Sequence, residues 1–210
     1  MKRISNKEFV NGLLRGELDF SEVEVESPNF SGYVPILNEL FWKNDSKVNL
    51  ESSKLNKLFA DGIELKDLHA PKITMKNASL SDSNFLHSNF RGADLSETSF
   101  TNATLSFCNL QETNLKEAEF EGAWLNCANL KKANLEGVWL GYSNLTDADL
   151  RGANLRGVNF KGTTLINADL RSVKKLDEAK NLGLAVYSNT KVSEKDREII
   201  KSAISKNKRF

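Results

Sequence analysis

Through the middle of this chain every fifth residue is large and apolar. From Leu80 to Leu170, all 19 positions taken in steps of five are Leu or Phe, with Phe85, Phe90, Phe100, Phe120 and Phe160 the aromatic ones. Two residues ahead of each centre stands a small side chain (10 Ala, 3 Ser, 3 Thr, Val138, Val158 and Cys108), and the residue directly ahead is Asn or Asp in 12 of the 19 cases. Gly takes the second position after the centre six times, at Gly92, Gly122, Gly137, Gly152, Gly157 and Gly162. A helix turns about 100° per residue, so a step of five rotates successive centres by about 140° and scatters them around the axis. In an uninterrupted strand an odd step sends successive centres to opposite faces. The period predicts instead a short extended segment, its small residue and its centre both pointing inward, followed by a two-residue corner. Gly supplies backbone freedom at that corner, and Asn or Asp hydrogen-bonds the nearby backbone. The chain then coils around a narrow apolar interior, large centres filling the axis and small partners fitting between them.

Stretches such as Ala128-Asn129-Leu130-Lys131-Lys132, Ala148-Asp149-Leu150-Arg151-Gly152 and Ala153-Asn154-Leu155-Arg156-Gly157 resemble the pentapeptide repeat family, whose pattern is A(D/N)LXX. The resemblance implies an all-β fold, a right-handed quadrilateral β-helix with four pentads per coil, closed by N- and C-terminal α-helical caps. The pattern is strong over 78–172 and stays in frame back to Val48, with Leu50, Leu55, Leu65 and Met75 as centres and Ala60 and Ala70 as poor ones. Residues 18–32 also fit the frame. Between them, 33–47 carries Pro35, Phe41-Trp42 and Asp45 at a centre position, and reads as an irregular loop or distorted coil. The repeat segment 18–172 makes 31 pentads and 7.75 coils if every pentad holds, a rod of about 35–40 Å at roughly 4.8 Å per rung.

A solenoid exposes apolar cross-sections at its ends, so both ends are expected to be covered. In the N-terminal segment 1–17, Ser5 and Glu8 read as a capping box and Ile4 and Phe9 as a hydrophobic staple, opening a helix of about 6–15 stopped by Gly16. In the C-terminal segment 173–210, Leu176, Leu182, Leu184 and Val186 are expected to fold over the last coil. Ser193 with Asp196 opens a helix of about 194–206 carrying Ile199, Ile200, Ala203 and Ile204. The family resemblance leaves two assemblies open, a monomer and a homodimer through the C-terminal end.

Length and composition narrow the class. The 210 residues suit one elongated domain, and 40% hydrophobic content is enough for a core. The longest apolar stretches are a few residues, which excludes a spanning helix, and Met1 to Glu8 lack a secretory signal's apolar run. Two cysteines, Cys108 and Cys127, in no CxxC pair point to a reducing compartment, hence the cytoplasm. The net charge of +1 disfavours direct nucleic-acid binding and polyanion mimicry alike. Lys and Arg number 10 against 12 Asp and Glu over 1–75, 9 against 11 over 76–172, and 10 against 5 over 173–210, so only the tail is basic, as a solvated end.

Catalysis has little to work with: two histidines, no GxSxG, no phosphate-binding Gly loop and no HExxH. Asp67 and His87 differ by 20 and should stack on one corner, with His69 one face on. Three such side chains are metal-ligating chemistry, but solvated polar residues beside a poor coil is the reading adopted. No enzyme activity, cofactor, metal site or membrane contact is expected. The outward aromatics say more. Trp124 and Trp139 stand where Asn or Asp is expected, Tyr142 sits at a corner with Gly122 and Gly162 below and above it, and Phe107 lies at the next corner. Isolated surface aromatics are ordinary, whereas large rings gathered on one edge form a partner patch. The function expected is a non-enzymatic scaffold for a protein partner. The alternative implied by the family is a gyrase- or topoisomerase-binding DNA mimic of the quinolone-resistance type, which the near-neutral charge disfavours.

Overall fold

The structure, a computed structural model, describes residues 1–44 and 47–207. From Leu50 to Leu170 its backbone repeats one cycle: a two-residue turn, a first inward residue (small from Ala78 on, but Leu58, Ile63, Leu68 and Ile73 before it), an outward bridging residue and an inward centre. Each bridging residue pairs in parallel with the one 20 positions on, which makes four faces. The first runs Asn49, His69, Asn89, Asn109, Asn129, Asp149, Asp169; the second starts at Lys54, the third at Phe59 and the fourth at Glu64. The expectation of an all-β chain needs correcting. Regular strands are confined to β1 (Lys2–Ser5) and β2 (Val23–Glu26), and the described residues also form three α-helices. The physical reason is the period itself, which leaves one bridging residue between corners.

The axis is filled as the pattern requires, with every centre from Leu80 to Leu170 and every small partner buried. Each large centre contributes roughly 1.5–3 kcal/mol on burial. Hydroxyls at the small position donate to the carbonyl of a centre, one coil below in most cases and, for Ser143, to Leu140 O of its own coil at 2.7 Å. Ser88 Oγ reaches Leu65 O at 3.1 Å, Thr98 Oγ1 reaches Met75 O at 2.6 Å, Thr113 Oγ1 reaches Phe90 O at 3.1 Å and Thr163 Oγ1 reaches Leu140 O at 2.7 Å. Unpaired, each hydroxyl would cost about 1–3 kcal/mol.

At the corners the second turn residue is left-handed whether or not it is Gly: His87, Phe107 and Tyr142 have φ of 61°, 60° and 58°. An L-residue pays roughly 1–2 kcal/mol for that geometry, which burial on the axis offsets. The bridging Asn side chains brace the same corners. Asn134 Oδ1 accepts from the backbone N–H of Glu136 at 3.3 Å, while its Nδ2 donates to Asn114 Oδ1 at 3.1 Å, and Asn154 repeats the ladder onto Asn134 at 3.0 Å.

At the N-terminal end β1 pairs with β2, adding a rung beneath the second face. The helix α1 (Asn6–Leu14) starts at the expected capping box, Glu8 N–H donating to Ser5 Oγ at 3.2 Å and Ser5 N–H to Glu8 Oε2 at 2.8 Å. Its Phe9 is buried against Phe20 and Phe30, ring centroids 4.4 and 5.3 Å apart. The stretch 33–47, expected to be a loop or distorted coil, holds a helix instead, α2 (Val34–Asn44); Asp45 and Ser46 lie outside the described residues. Val34, Leu37 and Phe41 are buried along one side of α2, and Pro35 sits in its first turn, where no intrahelical donor is needed. This helix replaces the fourth face of the first coil, so Asp19 pairs with Asn49, 30 positions on rather than 20. Asn38 stands in for the missing rung: its Nδ2 donates to Gly62 O and its Oδ1 accepts from Glu64 N–H, both at 2.8 Å.

At the other end the coil continues past 172. Lys174, Lys180, Val186 and Lys191 bridge back to Asn154, Asn159, Thr164 and Asp169, the step widening from 20 to 22. Short 3-10 turns at Leu176–Glu178 and Leu182–Leu184 absorb the added residues. Leu176 and Leu182 are buried as expected, whereas Leu184 and Val186 face outward, because Val186 is a bridging residue on the fourth face. The final helix, α3 (Glu194–Asn207), packs on this last turn with Ile200 buried. Residues 208–210 lie outside the described residues.

Two stability predictions follow from this packing. Leu130→Asp should cost more than about 4 kcal/mol or prevent folding, and Ala128→Leu about 1–3 kcal/mol through overpacking, both read by urea denaturation. Wild-type midpoints would show that these side chains do not face a packed axis. Asn38→Ala should cost about 1–3 kcal/mol by stranding the Glu64 N–H, with faster amide exchange at Glu64 as its local signature.

Candidate interaction surface

The expected aromatic residues fall on two neighbouring coils at the corner between the third and fourth faces. Glu119, Glu121 and Trp124 belong to one coil, and Trp139, Gly141 and Tyr142 to the next. Trp139 bridges to Glu119 below and Asn159 above, and Trp124 to Thr104 and Asn144. Both tryptophans replace the usual Asn or Asp without loss of a rung, since the bridge uses backbone atoms only.

The two glycines of this corner seat the rings. Trp139 folds sideways over Gly141, so that a Cβ there would lie 2.6 Å from its Nε1. The indole is half-buried as a result, and its buried Nε1 has no hydrogen-bond partner among the described residues. Tyr142 leans along the rod over Gly162, where a Cβ would meet its Cδ1 at 2.7 Å, with Lys161 Nζ 5.6 Å from the ring centroid. Trp124 and Tyr142 remain 54% and 56% exposed. Phe107 does not join them. It stands across the fourth face at the next corner, stacked on His87 with centroids 5.0 Å apart. Trp124, Trp139 and Tyr142 therefore stand at one corner on adjacent coils, and Phe107 forms a separate aromatic step at the next.

His87 thus stacks on Phe107 rather than meeting His69. His69 Nε2 instead faces Glu51 Oε2 at 3.7 Å, and no three His, Cys, Asp or Glu side chains among the described residues form a group able to hold a metal.

Charge is distributed unevenly around the rod. On the first face, Lys131 and Arg151 approach Asp149 at 3.1 and 2.7 Å, and Arg171 approaches Asp169 at 2.6 Å. Partial burial works against ionisation of Asp149, yet hydrogen bonds from the Arg151 side chain and backbone and from Lys131 hold its pKa down at about 2. The Arg171 side chain lowers that of Asp169 in the same way. On the second face Lys76 pairs with Asp94 at 2.8 Å. Glu119 and Glu121, beside the rings, are exposed and make no side-chain hydrogen bond or ion pair among the described residues. In the sequence neither stands out, since both occupy ordinary outward positions of the repeat. Nor does the sequence mark Trp42 as a surface ring; it lies on the outer side of α2, 78% exposed, beneath Lys66 Nζ at 5.2 Å.

Comparison with known proteins follows the coil. The family model described as pentapeptide repeats (8 copies) matches residues 73–106, 103–138 and 142–174. No curated protein matches the chain. Among solved structures, the chain is similar to QnrB1, a plasmid-mediated fluoroquinolone resistance protein, at 14% identity over 90% of this chain and 96% of that one, with a TM-score of 0.40. It is similar to HetL, a pentapeptide repeat protein involved in heterocyst differentiation regulation from the cyanobacterium Nostoc sp. strain PCC 7120, at 18% identity over 90% and 94% of the two chains and a TM-score of 0.33. Rfr23, a pentapeptide repeat protein from the cyanobacterium Cyanothece 51142, shares 23% identity over 86% and 99%, with a TM-score of 0.26.

The seating of the rings predicts unequal responses. Tyr142→Asn should shift stability by no more than about 0.5 kcal/mol, because its exposed ring leaves the axis untouched. Trp139→Asn should cost about 1–2 kcal/mol, part of the roughly 3–5 kcal/mol of a fully buried ring. Equal urea midpoints for the two variants would contradict the packing of Trp139 on Gly141.

Proposed function

The chain belongs to the pentapeptide repeat family, and from that premise we propose that it is a non-enzymatic scaffold whose protein partner docks on the corner of Trp124, Trp139 and Tyr142. Pentapeptide-repeat proteins are in general structural or interaction proteins rather than enzymes. The observation that carries the reading is the ring arrangement itself: Trp124 and Tyr142 are more than half exposed at one corner on adjacent coils, next to Trp139 on the adjoining face. Exposed aromatics on a rigid frame are the usual anchors of protein interfaces. Phe107 and His87 flank the patch across the fourth face and would widen the contact.

The helices at the two ends act, in this reading, as caps. Phe9 of α1 lies on Phe20 and Phe30 of the first coil, and α3, with Ile200 buried, packs on the turns that carry Leu176 and Leu182, so each would keep an apolar cross-section from water. A cytoplasmic setting fits the cysteines, which are both free: Cys108 is buried, its thiol pushed up to about 12 by desolvation, and Cys127 is exposed. No helix among the described residues is long and apolar enough to cross a membrane. The gyrase-binding DNA mimic draws little support from the surface, since Asp94, Asp149 and Asp169 are each neutralised by a neighbouring Lys or Arg, and a duplex mimic needs a continuous run of unquenched negative charge.

The test is capture from the source cell read by mass spectrometry, comparing wild type with Trp124→Asn/Tyr142→Asn and with Lys132→Ser, a control at the opposite corner. Loss of both anchors should weaken a genuine partner about thirty-fold, the equivalent of roughly 2 kcal/mol, while the control captures it normally. A capture profile unchanged by the double variant would overturn the assignment of this corner.

A further inference from the structure

The corner carries a statement about the chemistry of what docks there. Of the carboxylates along this edge of the rod, the lower ones are occupied: Asp61 Oδ1 accepts from Ser79 Oγ at 2.7 Å and from Ser81 N–H at 2.8 Å, and Asp82 Oδ1 accepts from Asn102 Nδ2 at 3.2 Å. Glu119 and Glu121 are not. They sit two residues apart in one pentad, directly below Trp139 and Gly141 on the rung ladder, and share their coil with Trp124. The chain supplies neither with a counter-ion, although it does so for Asp94, Asp149 and Asp169; Asp67, Glu97 and Asp147 are also unpaired among the described residues but stand away from this corner.

Exposed ring faces beside unneutralised carboxylates are the chemistry that recognises an organic cation. A guanidinium stacks flat on an indole or phenol face and donates forked hydrogen bonds to a carboxylate, combining two interactions that an ammonium makes less well together. The molecule already uses the first interaction at this corner, where Lys161 lies over Tyr142 on the upper side. That cation also sets a polarity along the rod, positive above and negative below, so an incoming cation is drawn toward Trp124 and the two glutamates and away from Lys161.

Accordingly, we propose that the corner of Trp124, Trp139, Tyr142, Glu119 and Glu121 receives an arginine side chain of a basic segment on the partner protein. The inference rests on the reading of this corner as a docking site and adds the chemistry of its occupant. The anchor enters beside Trp124 and is held by Glu119 and Glu121, so both rings and carboxylates are required.

The test uses the full chain and two synthetic peptides, Gly-Arg-Gly-Arg-Gly and its citrulline counterpart, which keeps the planar shape but loses the charge and replaces one terminal nitrogen with a carbonyl oxygen. Binding is followed by the indole N–H resonances of Trp124 and Trp139, with Trp42 as an internal reference. The arginine peptide should shift Trp124 and Trp139, the citrulline peptide should bind about tenfold more weakly or not at all, and added salt should weaken the arginine peptide. Glu119→Gln/Glu121→Gln should reduce arginine-peptide affinity about tenfold at an unchanged melting temperature. Equal binding of both peptides, absence of shifts at these two tryptophans, or indifference to the Glu→Gln pair would each overturn the inference. The two readings fail separately. Partner capture lost with Trp124→Asn/Tyr142→Asn but retained with Glu119→Gln/Glu121→Gln would leave the docking site standing and remove the arginine. Capture retained with both pairs would remove the docking site itself.

Discussion

The whole molecule depends on one packing constraint: a narrow axis that accepts two inward side chains from each pentad, one small and one large over 78–170. Stacking at 20 residues per coil puts each centre above another centre, and the backbone rungs between coils lock that register. The constraint is strict inside and permissive outside. Two of every five residues are committed to the axis, while the bridging residue pairs through backbone atoms and the two corner residues face water. Trp can therefore replace Asn at a bridging position, and Phe or Tyr can sit at a left-handed corner, without loss of a rung. The strain at those corners is a fixed cost of roughly 1–2 kcal/mol each, met by the burial that the same corners make available.

The ladder also explains how the rod tolerates interruption. Where α2 displaces a face, the Asn38 carboxamide takes over the pairing of Glu64, and Leu37 and Phe41 supply the apolar contact that a pentad would have made. Where the last coil lengthens, two 3-10 turns take up the extra residues and Lys180, Val186 and Lys191 still bridge. In both places the hydrogen bonds are conserved and the spacing is not. A stranded N–H inside a coil costs more than a locally lengthened turn.

This division decides what was legible in the sequence. The axis was legible because it repeats, and Leu80 to Leu170 specify coil, register and inward face. The helix α2 was not, because Val34, Leu37 and Phe41 form a helical pattern inside a segment being read for a period of five, and Pro35 looked like a break where it is only a first-turn residue. The last coil escaped because its step drifts from 20 to 22 and the pattern dissolves while the rungs persist. At the candidate site, the threading placed Trp124, Trp139 and Tyr142 at one corner and Phe107 at the next. It did not foretell that Trp139 folds down, since a side chain's lean depends on Gly141, which is off the main repeat. Nor did it isolate Glu119 and Glu121, because a carboxylate's lack of a partner depends on neighbours a full coil away.

The rod's rigidity bears directly on recognition. A ring held by backbone rungs on both sides and seated on a glycine loses little freedom when a partner arrives, so more of the contact energy survives as affinity. Charge is managed by the same geometry. Residues 18–20 apart meet on adjacent coils, as Lys131 meets Asp149 and Lys76 meets Asp94, so the repeat itself quenches some of its carboxylates. Other carboxylates, Asp67, Glu97 and Asp147, also stand without an ion pair among the described residues, so absence of a partner alone does not mark a site. What distinguishes Glu119 and Glu121 is their place at the corner that carries the exposed rings of Trp124 and Tyr142. That coincidence gives one corner of the rod both an attractive field and an apolar platform.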